Sequence, residues 1–219
     1  MDTLDSRSLR YTDTYSQRFG APGLIRYGLS SSALACLPLD DEETFEIEVS
    51  QTGRRPRRDA VQHDVTVRSI QGRLVADPER LAIEVGDIVM WHAPDAETPA
   101  FAVRGEGDRS KFNSTSLAAE ALYSHAFGTP GTYRWTDANG RKLGGEVRVG
   151  SLDTNNREEC DRWIKELQKG ELITIEGDQV RPKSVKILAG QTVFWAVVKS
   201  PGITITDEML VEGFKPPEG

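Results

Sequence analysis

The chain has 219 residues, 27 Lys and Arg against 34 Asp and Glu, and a formal net charge of −7. That balance argues against a general nucleic-acid role, because neutralising phosphates needs a basic face. No run approaches the roughly 18 apolar residues that span a bilayer. Met1-Asp2-Thr3-Leu4-Asp5-Ser6 lacks the charged and apolar regions of a secretory leader. The expectation is a soluble cytoplasmic protein, with peripheral attachment to a membrane left open. Its two cysteines, Cys36 and Cys160, are expected as reduced thiols.

Residues 8–50 read as strands, from Tyr15-Ser16 through Phe45-Glu46-Ile47-Glu48-Val49. Residues 51–61 form a linker with Arg54, Arg55, Arg57 and Arg58. It is either a solvated connector or a docking patch for an acidic partner or an anionic membrane, where each basic residue contributes about 1 kcal/mol. Residues 62–151 read as β throughout: Val65-Thr66-Val67, Leu81–Val85, Asp87–Trp91, Phe101–Val103, Leu122–Phe127, Thr132–Trp135 and Glu146–Val149. Gly86-Asp87, Pro94-Asp95, Gly128-Thr129-Pro130-Gly131 and Gly144-Gly145 punctuate them. Short strands at this spacing indicate a β-sandwich or small barrel. Residues 155–170 predict a connecting helix, capped by Asn155 or Asn156, acidic in its first turn at Glu158 and Glu159, and closed by Gly170. Its apolar stripe is Cys160, Trp163, Ile164 and Leu167, with Trp163 the aromatic most suited to an interface. Residues 171–214 bring Ile173-Thr174-Ile175, Pro182 and a Gly190 hairpin into Trp195. Residues 215–219 form a tail, free or laid across a partner.

Two echoes organise these elements. Tyr15-Ser16-Gln17-Arg18-Phe19-Gly20-Ala21-Pro22-Gly23 returns as Tyr123-Ser124-His125-Ala126-Phe127-Gly128-Thr129-Pro130-Gly131, a shift of 108 positions (15 to 123). Leu81-Ala82-Ile83-Glu84-Val85-Gly86-Asp87 returns as Val185-Lys186-Ile187-Leu188-Ala189-Gly190-Gln191, a shift of 104 (81 to 185). A repeat of this period implies two units. The expected division makes 62–151 one complete sandwich and leaves 8–50 and 171–214 as two halves of a second, circularly permuted one. Half-sandwiches expose apolar faces and open edges, so the halves are expected to pair, within one chain or by exchange between chains.

The unit at 62–151 resembles the cupredoxins, the plastocyanin- and azurin-type Greek-key sandwiches. The resemblance rests on Pro78, then Leu81-x-Ile83-x-Val85-Gly86-Asp87-x-Val89-x-Trp91, then Phe127-x-x-Pro130-Gly131-Thr132-Tyr133-x-Trp135, and Gly145-x-Val147-x-Val149. Through the echoes it extends over most of the chain. It implies two all-β, cupredoxin-like domains plus one amphipathic helix. Blue copper needs two imidazoles, a thiolate and a weak axial thioether. Here the resemblance sets Phe101 at the first imidazole, Asp137 at the thiolate, Gly140 at the second imidazole and Leu143 at the axial place. In the permuted copy Ile203 and Leu29 take the first two. No metal or cofactor is therefore expected.

No Walker loop, dinucleotide fingerprint, zincin helix or nucleophile elbow occurs. Asp95 and Asp137 are loop carboxylates, ordinarily turn formers. His63, His92 and His125 stand at scattered positions and read as surface or hydrogen-bonded residues. Trp91, Trp135 and Trp195 read as core. The expected function is non-catalytic: an extrinsic scaffold subunit bound to other protein subunits of a larger assembly, such as a membrane-bound electron-transport or photosynthetic complex. Self-assembly through exchanged half-domains, giving a homo-oligomer, and electron transfer at a non-standard metal site are the alternatives.

Overall fold

The computed structural model describes residues 2–31, 44–51, 59–151 and 155–212. Most of them form strands. β1 (Asp13–Arg18), β2 (Gly23–Ser31) and β3 (Thr44–Ser50) come first. β4 (Gln62–Ile70), β5 (Arg73–Asp77), β6 (Arg80–Glu84), β7 (Ile88–His92), β8 (Phe101–Gly107) and β9 (Ser110–Asn113) follow. Then come β10 (Ala121–Ala126), β11 (Gly131–Asp137), β12 (Gly144–Gly150) and helix α1 (Arg157–Glu166). β13 (Glu171–Glu176), β14 (Gln179–Arg181), β15 (Ser184–Leu188), β16 (Thr192–Lys199), β17 (Ile205–Asp207) and the short helix α2 (Glu208–Glu212) end the described chain.

One eight-stranded sheet, ordered β14-β13-β16-β10-β1-β7-β4-β5, runs through the molecule. A five-stranded sheet, β6-β3-β2-β8-β9, packs against its β1-β7-β4-β5 half, and a four-stranded sheet, β15-β12-β11-β17, against the other. Alternation explains why: Tyr15, Val65, Val67, Val89 and Trp91 all point inward and are buried, as do Tyr123, Ile173, Ile175, Val193 and Trp195. In the first core Trp91 stacks on Tyr15 and meets Tyr27 edge-on, both at 5.5 Å between ring centroids. In the second, Trp195 lies 5.5 Å from Tyr123 and 6.0 Å from Trp135. Buried aromatics at such distances dominate the stability of each layer pair.

The expected pairing of the two chain-end halves is corrected by the strand order. β1 joins β7, and β2 and β3 join β8 and β6, so residues 13–50 complete the strands of 62–113. β10 joins β16, β11 joins β17, and β12 joins β15, so residues 121–150 complete the strands of 171–207. Residues 62–151 are thus not one closed sandwich. The physical reason is loop closure: each half is followed in the chain by a complementary half, and a local closure costs less entropy than one spanning most of the chain. Residues 4–9 do reach strands of both sandwiches. Ser6 N–H donates to the Ile205 carbonyl and Asp207 N–H to that of Leu4, while Leu9 pairs with Phe101.

The two sandwiches share the sheet through an antiparallel seam of β1 and β10. Tyr15 stands opposite Tyr123, the corresponding residues of the sequence echo. Thr14 and Ser124 join their hydroxyls across it at 2.7 Å.

The second echo, Gly86-Asp87 and Gly190-Gln191, marks two turns of one design. Gly86 and Gly190 both have positive φ, 103° and 93°, a region glycine enters freely. Asp87 Oδ2 accepts the Glu84 N–H at 3.1 Å and His63 Nε2 at 3.0 Å, while Oδ1 accepts the Val61 N–H at 3.0 Å. Burial alone would raise this carboxyl. The Val61 N–H, the His63 ring and the Glu84 N–H outweigh it and hold Asp87 below its ordinary value. Its stabilisation is present at neutral pH and is lost as pH falls below about 4, through the depressed folded value. Urea midpoints measured stepwise into acid are expected to fall less steeply for Asp87→Asn than for the parent.

Gln191 makes the matching turn bond, accepting the Leu188 N–H at 2.7 Å. Its amide then does what a carboxylate could not. Nε2 donates to the carbonyls of Glu166 and Lys169, at 2.7 and 3.0 Å, where the end of α1 needs donors. Gln191→Glu is expected to cost about 1–3 kcal/mol, read by chemical unfolding, with Gln191→Asp no better.

Helix α1 starts as predicted: Asn156 accepts the N–H groups of Glu158 and Glu159. It ends earlier, at Glu166, because its last turn bends into this clamp. Gly170 lets the chain pass against Phe194, where any Cβ would strike the ring.

Candidate functional site

The four places that the cupredoxin resemblance brings together are divided between the two sandwiches. Phe101 lies on β8, opposite Ser31 of β2, and belongs with Leu29, which pairs with Val103. Asp137, Gly140 and Leu143 lie at the end of β11 beside Ile203 and Thr204. The expected combination of Phe101 with Asp137, Gly140 and Leu143 is therefore corrected by the same pairing that corrects the domain division.

Each place has a packing or hydrogen-bonding task. Phe101 and Ile203 are fully buried and Leu143 nearly so, and all three join the hydrophobic core. Asp137 spends Oδ1 on two backbone donors, Asn139 N at 3.1 Å and Thr204 N at 2.9 Å. Its Oδ2 has no hydrogen-bond partner and faces Arg141 Nε across 3.9 Å. Gly140, with φ 80°, turns the loop. Phenyl, aliphatic and lone carboxylate groups do not fit a copper ion, which takes soft sulfur and imidazole. Cys36 and Arg54, Arg55, Arg57 and Arg58 lie outside the described residues, as does the tail.

Trp163 is half-buried. Its Nε1 donates to the Ala189 carbonyl at 2.7 Å, and with Leu167 it packs on Gly190, so it anchors α1 to the turn before β16. Ile164, in the same predicted stripe, is 57 % exposed. Asp95 forms a turn: one oxygen accepts the N–H groups of Glu97 and Thr98 and the Thr98 hydroxyl. His63 lies inside β4, not ahead of it, and bonds Asp87. His92 closes β7.

The polar cluster that sequence reasoning did not find lies at the seam. Asp13, 1 % exposed, accepts the Tyr123 hydroxyl and His125 Nδ1 on one oxygen, each at 2.7 Å, and the Arg10 N–H on the other at 2.8 Å. Tyr123 Oη in turn accepts the Asp5 N–H at 3.2 Å. His125 Nε2 is buried without a partner, and its ring meets Phe127 edge-on at 4.6 Å. Burial pushes the Tyr123 phenol well above its ordinary value, and the Asp13 charge pushes it further. A signal was available in the echo. Gln17 and Ala121 stand where the other copy has His125 and Asp13, and these inward-facing departures are the residues that meet across the seam.

No protein-family model matches this chain, and no curated protein or solved structure matches it either. The molecule's own geometry therefore carries the functional argument.

Proposed function

We propose that the chain is a non-catalytic binding protein of two tandem, circularly permuted cupredoxin-like Greek-key sandwiches, serving as a scaffold subunit of a larger protein assembly. The observation that carries this reading is the filling of both sandwich ends: Phe101, Leu143 and Ile203 pack in the core, and Asp137 is engaged by backbone donors. Matching strand pairings on the two sides of the seam support the tandem arrangement. β4 runs parallel to β7 as β13 does to β16, and β3 parallel to β6 as β12 does to β15. A scaffold role draws on stiffness, and a single sheet through both sandwiches supplies it.

Gentle purification of the tagged chain from its own cell, followed by native mass spectrometry, tests the proposal. The expected result is a defined set of protein subunits at fixed stoichiometry, lost when Arg54, Arg55, Arg57 and Arg58 become Ser. Recovery of the arginine variant with the same companions would remove that patch from the reading. A blue, paramagnetic centre in the native material would overturn the whole of it. Half-domain exchange is not required, since strands of one chain complete both sandwiches. Light scattering is accordingly expected to return the mass of one chain at all concentrations.

A further inference from the structure

Aromatic rings run through both cores at contact distance. Tyr27, Trp91 and Tyr15 are spaced at 5.5 Å steps, and Tyr123, Trp195 and Trp135 at 5.5 and 6.0 Å. Tyr15 and Tyr123 are direct neighbours across the seam. A missing electron can pass along such a series. Where it stops is decided by protons, because an oxidised phenol is a strong acid and an oxidised indole a weaker one, so a hole settles best on a phenol whose proton a base can take.

The acceptors differ sharply. The Nε1 groups of Trp135 and Trp195 are buried with no partner. Tyr15 donates to the Gln17 amide oxygen at 3.1 Å and Tyr133 to the Thr129 carbonyl at 2.7 Å, both neutral and weakly basic. Asp2 approaches the Tyr133 hydroxyl only to 3.5 Å. Tyr123 instead donates to the Asp13 carboxylate at 2.7 Å, in a site closed to water.

We propose that Tyr123 is a redox-active tyrosine, the resting place for electron holes that enter either core. A diffusible one-electron oxidant of the radical class takes one electron, relayed from Tyr123 through Trp195 and Trp135. The Tyr123 O–H bond breaks, its proton passes to Asp13 Oδ1, and a neutral phenoxyl radical remains beside a carboxylic acid. One electron returned by a reductant reverses both transfers, so atoms and charge balance. His125 and the Arg10 N–H are positioning groups that hold Asp13 in line. With the phenol raised by burial and by the Asp13 charge, its proton does not leave ahead of the electron.

The test uses the full-length chain in a Tyr11→Phe background, because Tyr11 is exposed and would trap holes at the surface. Photogenerated tris(bipyridine)ruthenium(III) is the oxidant, and electron paramagnetic resonance with ring-deuterated tyrosine is the readout. The expected result is a tyrosyl signal that Tyr123→Phe abolishes, leaving tryptophanyl radical. Asp13→Asn is expected to lower its yield about tenfold or more, through the lost charge-assisted bond. Radical formation in the parent protein is expected to slow in deuterated water, a reading that does not depend on how well any variant folds. A tyrosyl signal surviving Tyr123→Phe, an unchanged yield in folded Asp13→Asn, or equal rates in both waters would each overturn the proposal.

Discussion

Asp13→Ala is expected to lower folding stability by about 3–5 kcal/mol, because three buried donors lose their one acceptor and each unsatisfied group costs about 1–3 kcal/mol. The substitution leaves the Tyr123 hydroxyl, His125 Nδ1 and the Arg10 N–H without their acceptor, in a place where water does not replace it. The loss is mainly the penalty of stranded donors, so replacing the cluster as a unit should behave differently. Asp13→Leu with Tyr123→Phe and His125→Phe is expected to recover most of the stability, because apolar groups of similar volume need no partners. Urea unfolding, compared at equal slope, checks both. A change below about 1 kcal/mol for Asp13→Ala would mean that this cluster does not hold the seam.

Trp195→Ala is the second large effect, expected at about 3–5 kcal/mol from lost burial and the cavity left behind. Trp195 is fully enclosed, on a strand flanked by β10 and β13, against Tyr123, Trp135 and Phe127. Trp91→Ala removes the corresponding ring of the first core. Because β1 and β10 bond the two halves into one sheet, both substitutions are expected to lower a single unfolding transition. Calorimetry resolving two transitions, with each substitution moving only its own, would instead make the sandwiches independent units.

Much of the fold was legible. β-branched and aromatic residues alternating between turn residues marked the strands, Asn155-Asn156 marked the start of α1, and the Gly86 and Gly190 turns were placed by the echo between them. These are local facts, written within a few residues of where they act.

Side-chain alternation alone reported that a strand has a buried face, never which strand lies beside it. With two near-equivalent copies of each half in the chain, Tyr15 and Tyr123 could equally have belonged to either closure. Backbone pairing of β1 with β7 and of β10 with β16 settled that choice, and with it which of Phe101, Leu29, Asp137 and Ile203 share an end. Tertiary packing also set Asp13 against Tyr123 and His125, more than a hundred positions away, and bonded Trp163 to the Ala189 carbonyl. Periodicity is a property of one strand, whereas burial of a charge or an indole depends on what packs against it, and that is specified only when distant segments meet.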